Sequence, residues 1–224
     1  MTDAPNSRRS ISLRRVPGRI AERGLGAFFD WRANVRTGAR GKPTHHGRFA
    51  DAMGIRSTSM LTLVSARRLM EQLKKEEGLR AHAMVDIGCS VGRAVCYWAR
   101  TGLFSRVTGI EVDRELADQA RNNIQRLRGR QSDVEILEMD VLDYQFSSDQ
   151  DVIFMFNPFG AKTFAAMLER LMAVGEPGRP LYIIYVNPQQ EALIRDTGRV
   201  RREWSGDSSN VPGGRGFRVF EVIR

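Results

Sequence analysis

Cysteine is scarce in this chain, with only Cys89 and Cys96 among 224 residues. Two thiols cannot build a disulfide framework or a structural zinc site, so the fold must be held by its core. No apolar run approaches the roughly 18 residues a spanning helix needs, which argues against a membrane span. Both absences point to the reducing cytoplasm. Acids are missing where bases are densest: residues 1–50 hold 11 of the 35 Lys and Arg against Asp3, Glu22 and Asp30. Nearly all of the formal net charge of +9 therefore belongs to that segment, and the remainder is close to neutral. A dinucleotide fingerprint is absent too. G-x-G-x-x-G beginning at Gly88 would need glycine where Ser90 and Arg93 stand.

A hydrophobic content of 42% over this length suits one domain with an appendage. The expected division is a basic N-terminal extension over residues 1–50 and a main domain over residues 51–224. Residues 1–18 have no hydrophobic period and are expected to form a flexible arm. Ser7-Arg8-Arg9 echoes a twin-arginine export signal, but no apolar stretch follows it. An organelle transit peptide fits the composition better, although nothing else points to an organelle. Contact with nucleic acid or another polyanion is the functional reading of the arm. A solvated tail is the preferred one. Residues 20–31 contain Leu25, Phe28, Phe29 and Trp31 and predict a short helix packed on the domain, or a lid. Gly24 and Gly26 make that segment a poor membrane-surface helix.

From residue 59 onward helical and strand patterns alternate. Helices are expected at 59–77, 92–101, 114–128, 160–173 and 189–196. Apolar, β-branched runs fall between them, ending near Asp86, Glu111, Asp140, Asn157 and Val186. This is the rhythm of a parallel sheet with crossover helices. Residues 199–204 and 217–223 have no helical period between them, so they must pair antiparallel. The first run ends in Val85-Asp86-Ile87-Gly88-Cys89-Ser90-Val91-Gly92, a strand, a glycine turn and a helix start. That order seats a nucleotide in open α/β sheets. Glu111 follows 23 positions after Gly88, near the spacing at which such folds place a ribose-binding carboxylate.

The spacing D-x-G-x-x-x-G resembles motif I of the class I S-adenosylmethionine (SAM) methyltransferases, with Ser90 replacing the usual middle glycine. The resemblance covers about residue 55 to the C-terminus. The Asn157-Pro158-Phe159-Gly160 and Tyr182–Pro188 stretches also look like bacterial members without a settled substrate. The resemblance implies a Rossmann-like α/β fold: a seven-stranded, mostly parallel sheet with an antiparallel C-terminal strand and helices on both faces. It implies S-adenosyl-L-methionine as cofactor and no metal. Asp86, Gly88, Cys89, Ser90 and Gly92 would surround the methionine portion, and Glu111 the ribose. Asp140 would sit beside the adenine amino group, with Met139 and Val141 as apolar walls. Asn157, Pro158 and Phe159 match motif IV, facing the transferred methyl and forming the catalytic set.

Motif IV is the most diagnostic part for the acceptor. Asn-Pro-Pro-aromatic marks enzymes acting on planar amino nitrogens, and this chain has one proline fewer. Alternatively, Pro158 ends a strand and Phe159 is core. Other candidates carry plainer alternatives. His45 and His46 could fold over the site as a base, or lie solvated in a loop without the carboxylates of a metal site. His82 precedes the first strand on the side away from the ligand. Thr58 and Ser59 cap a helix or approach the SAM carboxylate. Tyr185 and Asn187 line the acceptor pocket, or Asn187 starts a turn. Two functions follow. One is methyl transfer from SAM to an unidentified N- or O-nucleophile. The other is an inactive SAM-fold binding protein whose basic arm does the work. Retention of a motif IV favours the enzyme.

Overall fold

A computed structural model describes residues 9–11, 18–38, 40–41, 55–77, 82–175, 179–206 and 216–223. The elements run β1 (Arg9–Ile11), α1 (Gly18–Ala33), β2 (Arg40–Gly41), β3 (Ile55–Arg56) and α2 (Met60–Glu77). They continue with β4 (Ala83–Ile87), α3 (Arg93–Trp98), β5 (Arg106–Glu111), α4 (Arg114–Arg126) and β6 (Asp133–Glu138). The last are β7 (Gln150–Phe156), α5 (Ala161–Ala173), β8 (Pro180–Val186), α6 (Glu191–Asp196), β9 (Val200–Gly206) and β10 (Phe217–Ile223).

The main sheet has the order β1-β9-β10-β8-β7-β4-β5-β6. β4 pairs in parallel with β5 on one side and β7 on the other, so strand order reverses beside β4. Only β10 runs against its neighbours, antiparallel to both β8 and β9. This is the expected mixed sheet. One short strand is added at its edge, because residues 9–11 of the expected arm lie parallel to β9.

The central strands β4, β7 and β8 are apolar and buried along almost their whole length because both faces are covered. Alternation sorts their side chains into two cores. Met84, Val152, Phe154, Tyr182 and Ile184 join Phe29 of α1, Leu63 and Met70 of α2, and residues of α3 and α4. Val85, Ile87, Ile153, Met155, Leu181, Ile183 and Tyr185 pack instead on Phe164, Met167 and Leu171 of α5 and on Ile194 of α6. Trp98 is fully buried, edge-on to Phe104 and Phe154.

α1 is docked by polar contacts as well as by Phe29. The Glu22 carboxylate accepts from the N–H groups of Met60 (2.5 Å) and Leu61 (3.3 Å), the unsatisfied start of α2. Ala33 accepts from the N–H of Arg128 at 3.0 Å. Among the described residues no helix is long and apolar enough to cross a membrane.

Candidate active site

The C-terminal ends of β4, β5 and β7 meet where strand order reverses, and the predicted residues gather there. β4 delivers Asp86 into the interior, 3% exposed. The chain then turns through Gly88 (φ 72°), Ser90 (φ 52°) and Gly92 (φ 80°) before α3 begins. A side chain at Gly88 would place its Cβ 2.7 Å from Cβ of Pro158. Only glycine therefore lets the β4 loop and the Asn157-Pro158 segment touch. The N–H groups of Gly88 and Cys89 donate to the Ile110 carbonyl at 2.9 and 3.0 Å, pinning the loop to the end of β5.

Glu111 holds the other side of the loop. Its carboxylate accepts from Ser90 N–H (2.7 Å), Val112 N–H (2.9 Å) and Asp113 N–H (3.0 Å). Burial raises its pKa, opposed by these three hydrogen bonds. A carboxylate offers about four lone-pair sites, so most of this one is already spent on the loop. Glu111 is thus a structural clamp with limited capacity left for a ribose.

Asp86 is the opposite case. Its Oδ2 is buried and has no hydrogen-bond partner, and the same is true of Ser90 Oγ. Burial, then the neighbouring charge of Glu111, pushes the Asp86 pKa up to about 8. An orphaned carboxylate oxygen near the end of β4 and an orphaned hydroxyl in the loop that follows are costly unless something polar completes them. A cationic ligand suits both the vacant lone pairs and the local excess of negative charge. SAM, whose amino-acid portion bears an ammonium beside a sulfonium, fits this donor set.

The other predicted residues fall in distinct places. Cys89 is buried and its thiol pKa lies well above the ordinary range through burial, so only its backbone is available to a ligand. Asp140 follows β6, its Oδ1 accepting from Leu142 N–H at 2.9 Å, and Val141 is buried in the second core. Met139 is partly buried against the same cluster, and its N–H reaches the Glu111 carbonyl at 2.9 Å. Asn157 has a left-handed backbone (φ 37°) and a buried side chain. Its Oδ1 accepts the Tyr185 hydroxyl at 2.9 Å. Phe159 is 8% exposed with its ring 6.3 Å from that of Phe164, inside the second core. Tyr185 is fully buried and stacked on Phe164. Ser59 Oγ accepts from Thr62 N–H at 3.3 Å, capping α2. Asn187 starts the turn after β8 with φ 51°. His82 lies at the opposite, N-terminal end of β4, where its N–H meets Asp151. His45 and His46 lie outside the described residues.

Two contacts had no forewarning in the motifs. Asn123 of α4, 2% exposed, accepts from Arg36 N–H (2.9 Å) and donates to the carbonyls of Arg36 (3.0 Å) and Val91 (2.9 Å). Arg93, at the start of α3, donates to Thr37 Oγ1 at 2.8 Å, and that hydroxyl donates to Asp30 at 2.5 Å. The segment after α1 is thereby fastened to the glycine loop. A lone acid in a basic stretch, Asp30, was the available signal. A groove of about 450 Å³ between α5 and α6 shares no residue with this cleft.

The sheet order, the reversed last strand and the loop-and-acid site define the class I methyltransferase fold. Comparison with known proteins agrees. A family model described as a methyltransferase domain matches residues 84–178. A Caenorhabditis elegans protein named rRNA N(6)-adenosine-methyltransferase metl-5 is 22% identical over 145 residues, 62% of this chain. The chain covers 65% of that relative, just under two thirds of its length. The N-methyltransferase NodS from Bradyrhizobium japonicum WM9 superposes with a TM-score of 0.53 at 12% identity, over 74% of this chain and 98% of that one. The mitomycin 7-O-methyltransferase MmcR gives 0.51 at 20% identity, over 73% and 54%. At such identities the solved structures establish the fold alone. The described fold is thus the one these methyltransferases share, and residues 84–178 match a methyltransferase-domain family model.

Proposed function

We propose that this protein transfers the methyl group of SAM to a nucleophile presented at Asn157. The observation that carries this reading is the pair of orphaned polar atoms, Asp86 Oδ2 near the end of β4 and Ser90 Oγ in the loop that Gly88 brings against Pro158. Asp86 and Ser90 would hold the amino-acid end of the cofactor, and Glu111 would orient the ribose with what acceptor capacity it retains. Asp140, Met139 and Val141 would border the adenine. When bound, SAM supplies an already activated methyl on sulfur, so the chain's task is alignment of the nucleophile.

Asn157 performs that alignment. Its strained backbone and the Tyr185 hydroxyl fix the carboxamide, leaving the amide N–H groups and the second lone pair of Oδ1 for the acceptor. Phe159 supports the site from the core instead of stacking on substrate. The acceptor chemistry is an N- or O-nucleophile. An RNA acceptor gains support from the named activity of the curated relative and from the basic N-terminal fifty residues. Calorimetric titration with SAM and with S-adenosylhomocysteine tests the reading. Saturable binding of both is expected, and absence of either from a folded sample would count against it.

A further inference from the structure

Among the described residues, α1 carries the most exposed apolar side chains. Trp31 is 74% exposed, Phe28 58% and Leu25 38%, and the Phe28 and Trp31 rings lie 5.9 Å apart. Leu25, Phe28 and Trp31 recur every three residues, so they form one row along the helix, with Arg32 one turn beyond Phe28. Arg23, Arg32 and Arg36 are exposed around it. The acids that could have neutralised this face are turned inward. Glu22 caps α2, and Asp30 holds Thr37 and through it Arg93.

We propose that this face of α1 is a docking surface for single-stranded nucleic acid, which presents its bases to Phe28 and Trp31 and its phosphates to the arginines. Aromatic rings interleaved with cations are the elements by which single strands are held without sequence preference. The charge is complementary, since residues 1–50 hold 11 bases against three acids while the rest of the chain is near neutral. A row one side chain wide offers little area for burial in a bilayer. The face is also tied to the chemistry. Asn123 clamps Arg36 to Val91 of the glycine loop, so a strand on α1 is held at a set distance from the cofactor site.

The inference rests on the methyltransferase reading only in giving the bound strand a purpose, and the test separates the two. Fluorescence anisotropy of a labelled 20-nucleotide RNA is measured with the full chain, with Phe28→Ala/Trp31→Ala and with Arg32→Gln/Arg36→Gln, while SAM affinity is measured on the same samples. The aromatic double variant is expected to bind RNA roughly tenfold or more weakly with SAM affinity unchanged. The arginine double variant should flatten the slope of log affinity against log salt by roughly 0.7 for each phosphate it no longer neutralises. Wild-type protein that ignores RNA, or binds it equally after both substitutions, would overturn the proposal. So would Trp31-dependent binding to phosphatidylserine vesicles without a matching effect on RNA. Loss of SAM binding in the wild type would instead strike the methyltransferase reading.

Discussion

Substituting Asp86 with Asn tests the electrostatics of the site on folding and ligand binding together. In the folded chain the Asp86 carboxyl is shifted from 3.8 to about 8, first by burial and then by Glu111. Its folded pKa is raised, so between these values the native state holds a proton that the unfolded chain has released. Stability from this group is therefore full below about pH 4 and is lost as pH rises toward 8. The slope in mid-window approaches about 1.4 kcal/mol per pH unit, the free energy of one full proton. Asn is nearly isosteric and cannot titrate, so Asp86→Asn should lose that slope. A cationic ligand favours the ionised carboxylate, so SAM binding near pH 7 should expel close to one proton from the wild type. Urea denaturation from pH 5 to 8 measures the first effect. Calorimetry in buffers of different ionisation enthalpy measures the second. Identical pH slopes in wild type and variant, with no buffer dependence of the binding heat, would refute the reasoning.

Further outcomes follow from individual contacts. Glu111→Ala leaves the N–H groups of Ser90, Val112 and Asp113 without their acceptor. It should cost about 2–4 kcal/mol of stability in chemical denaturation and weaken SAM binding by about 1.5–3 kcal/mol in calorimetry. Gly88→Ala forces a Cβ toward Pro158 at a positive φ and should destabilise by about 2–4 kcal/mol; an unchanged melting curve would show that the two loops separate freely. Asn123→Ala strips three hydrogen bonds, one buried and two part-buried, between α4, the segment after α1 and the glycine loop. A loss of about 2–3 kcal/mol is expected, with faster proteolysis of the N-terminal extension.

The sheet was legible because continuous apolar, β-branched runs and helical periods alternate so plainly after residue 59. The lack of a helical pattern between β9 and β10 already required the antiparallel pair. The candidate site was legible at Asp86, Gly88, Glu111 and Asn157 because each stands at or just past the end of a strand. How each is used was not, since hydrogen bonding depends on which backbone comes near. Glu111 is largely consumed by three N–H groups from its own neighbours and the glycine loop. Phe159 is turned into the core by Phe164, a partner on the following helix. The attachment of α1 was hidden for the same reason. Asn123, 87 residues from Arg36, shows no pattern in its local sequence that marks it as a clamp.

Transfer of labelled methyl from SAM tests the central claim most directly. Purified protein is incubated with methyl-labelled SAM and a host lysate, which is then resolved into protein, RNA and small-molecule fractions. The same is done with Asn157→Ala, whose SAM affinity is measured alongside. The expected result is label in one fraction with the wild type, RNA being favoured. Transfer should fall on the order of 10²-fold in Asn157→Ala while cofactor binding stays nearly intact. Equal loss of binding and transfer would make Asn157 a structural residue, and no transfer by a wild-type chain that binds SAM would contradict the assignment as an enzyme.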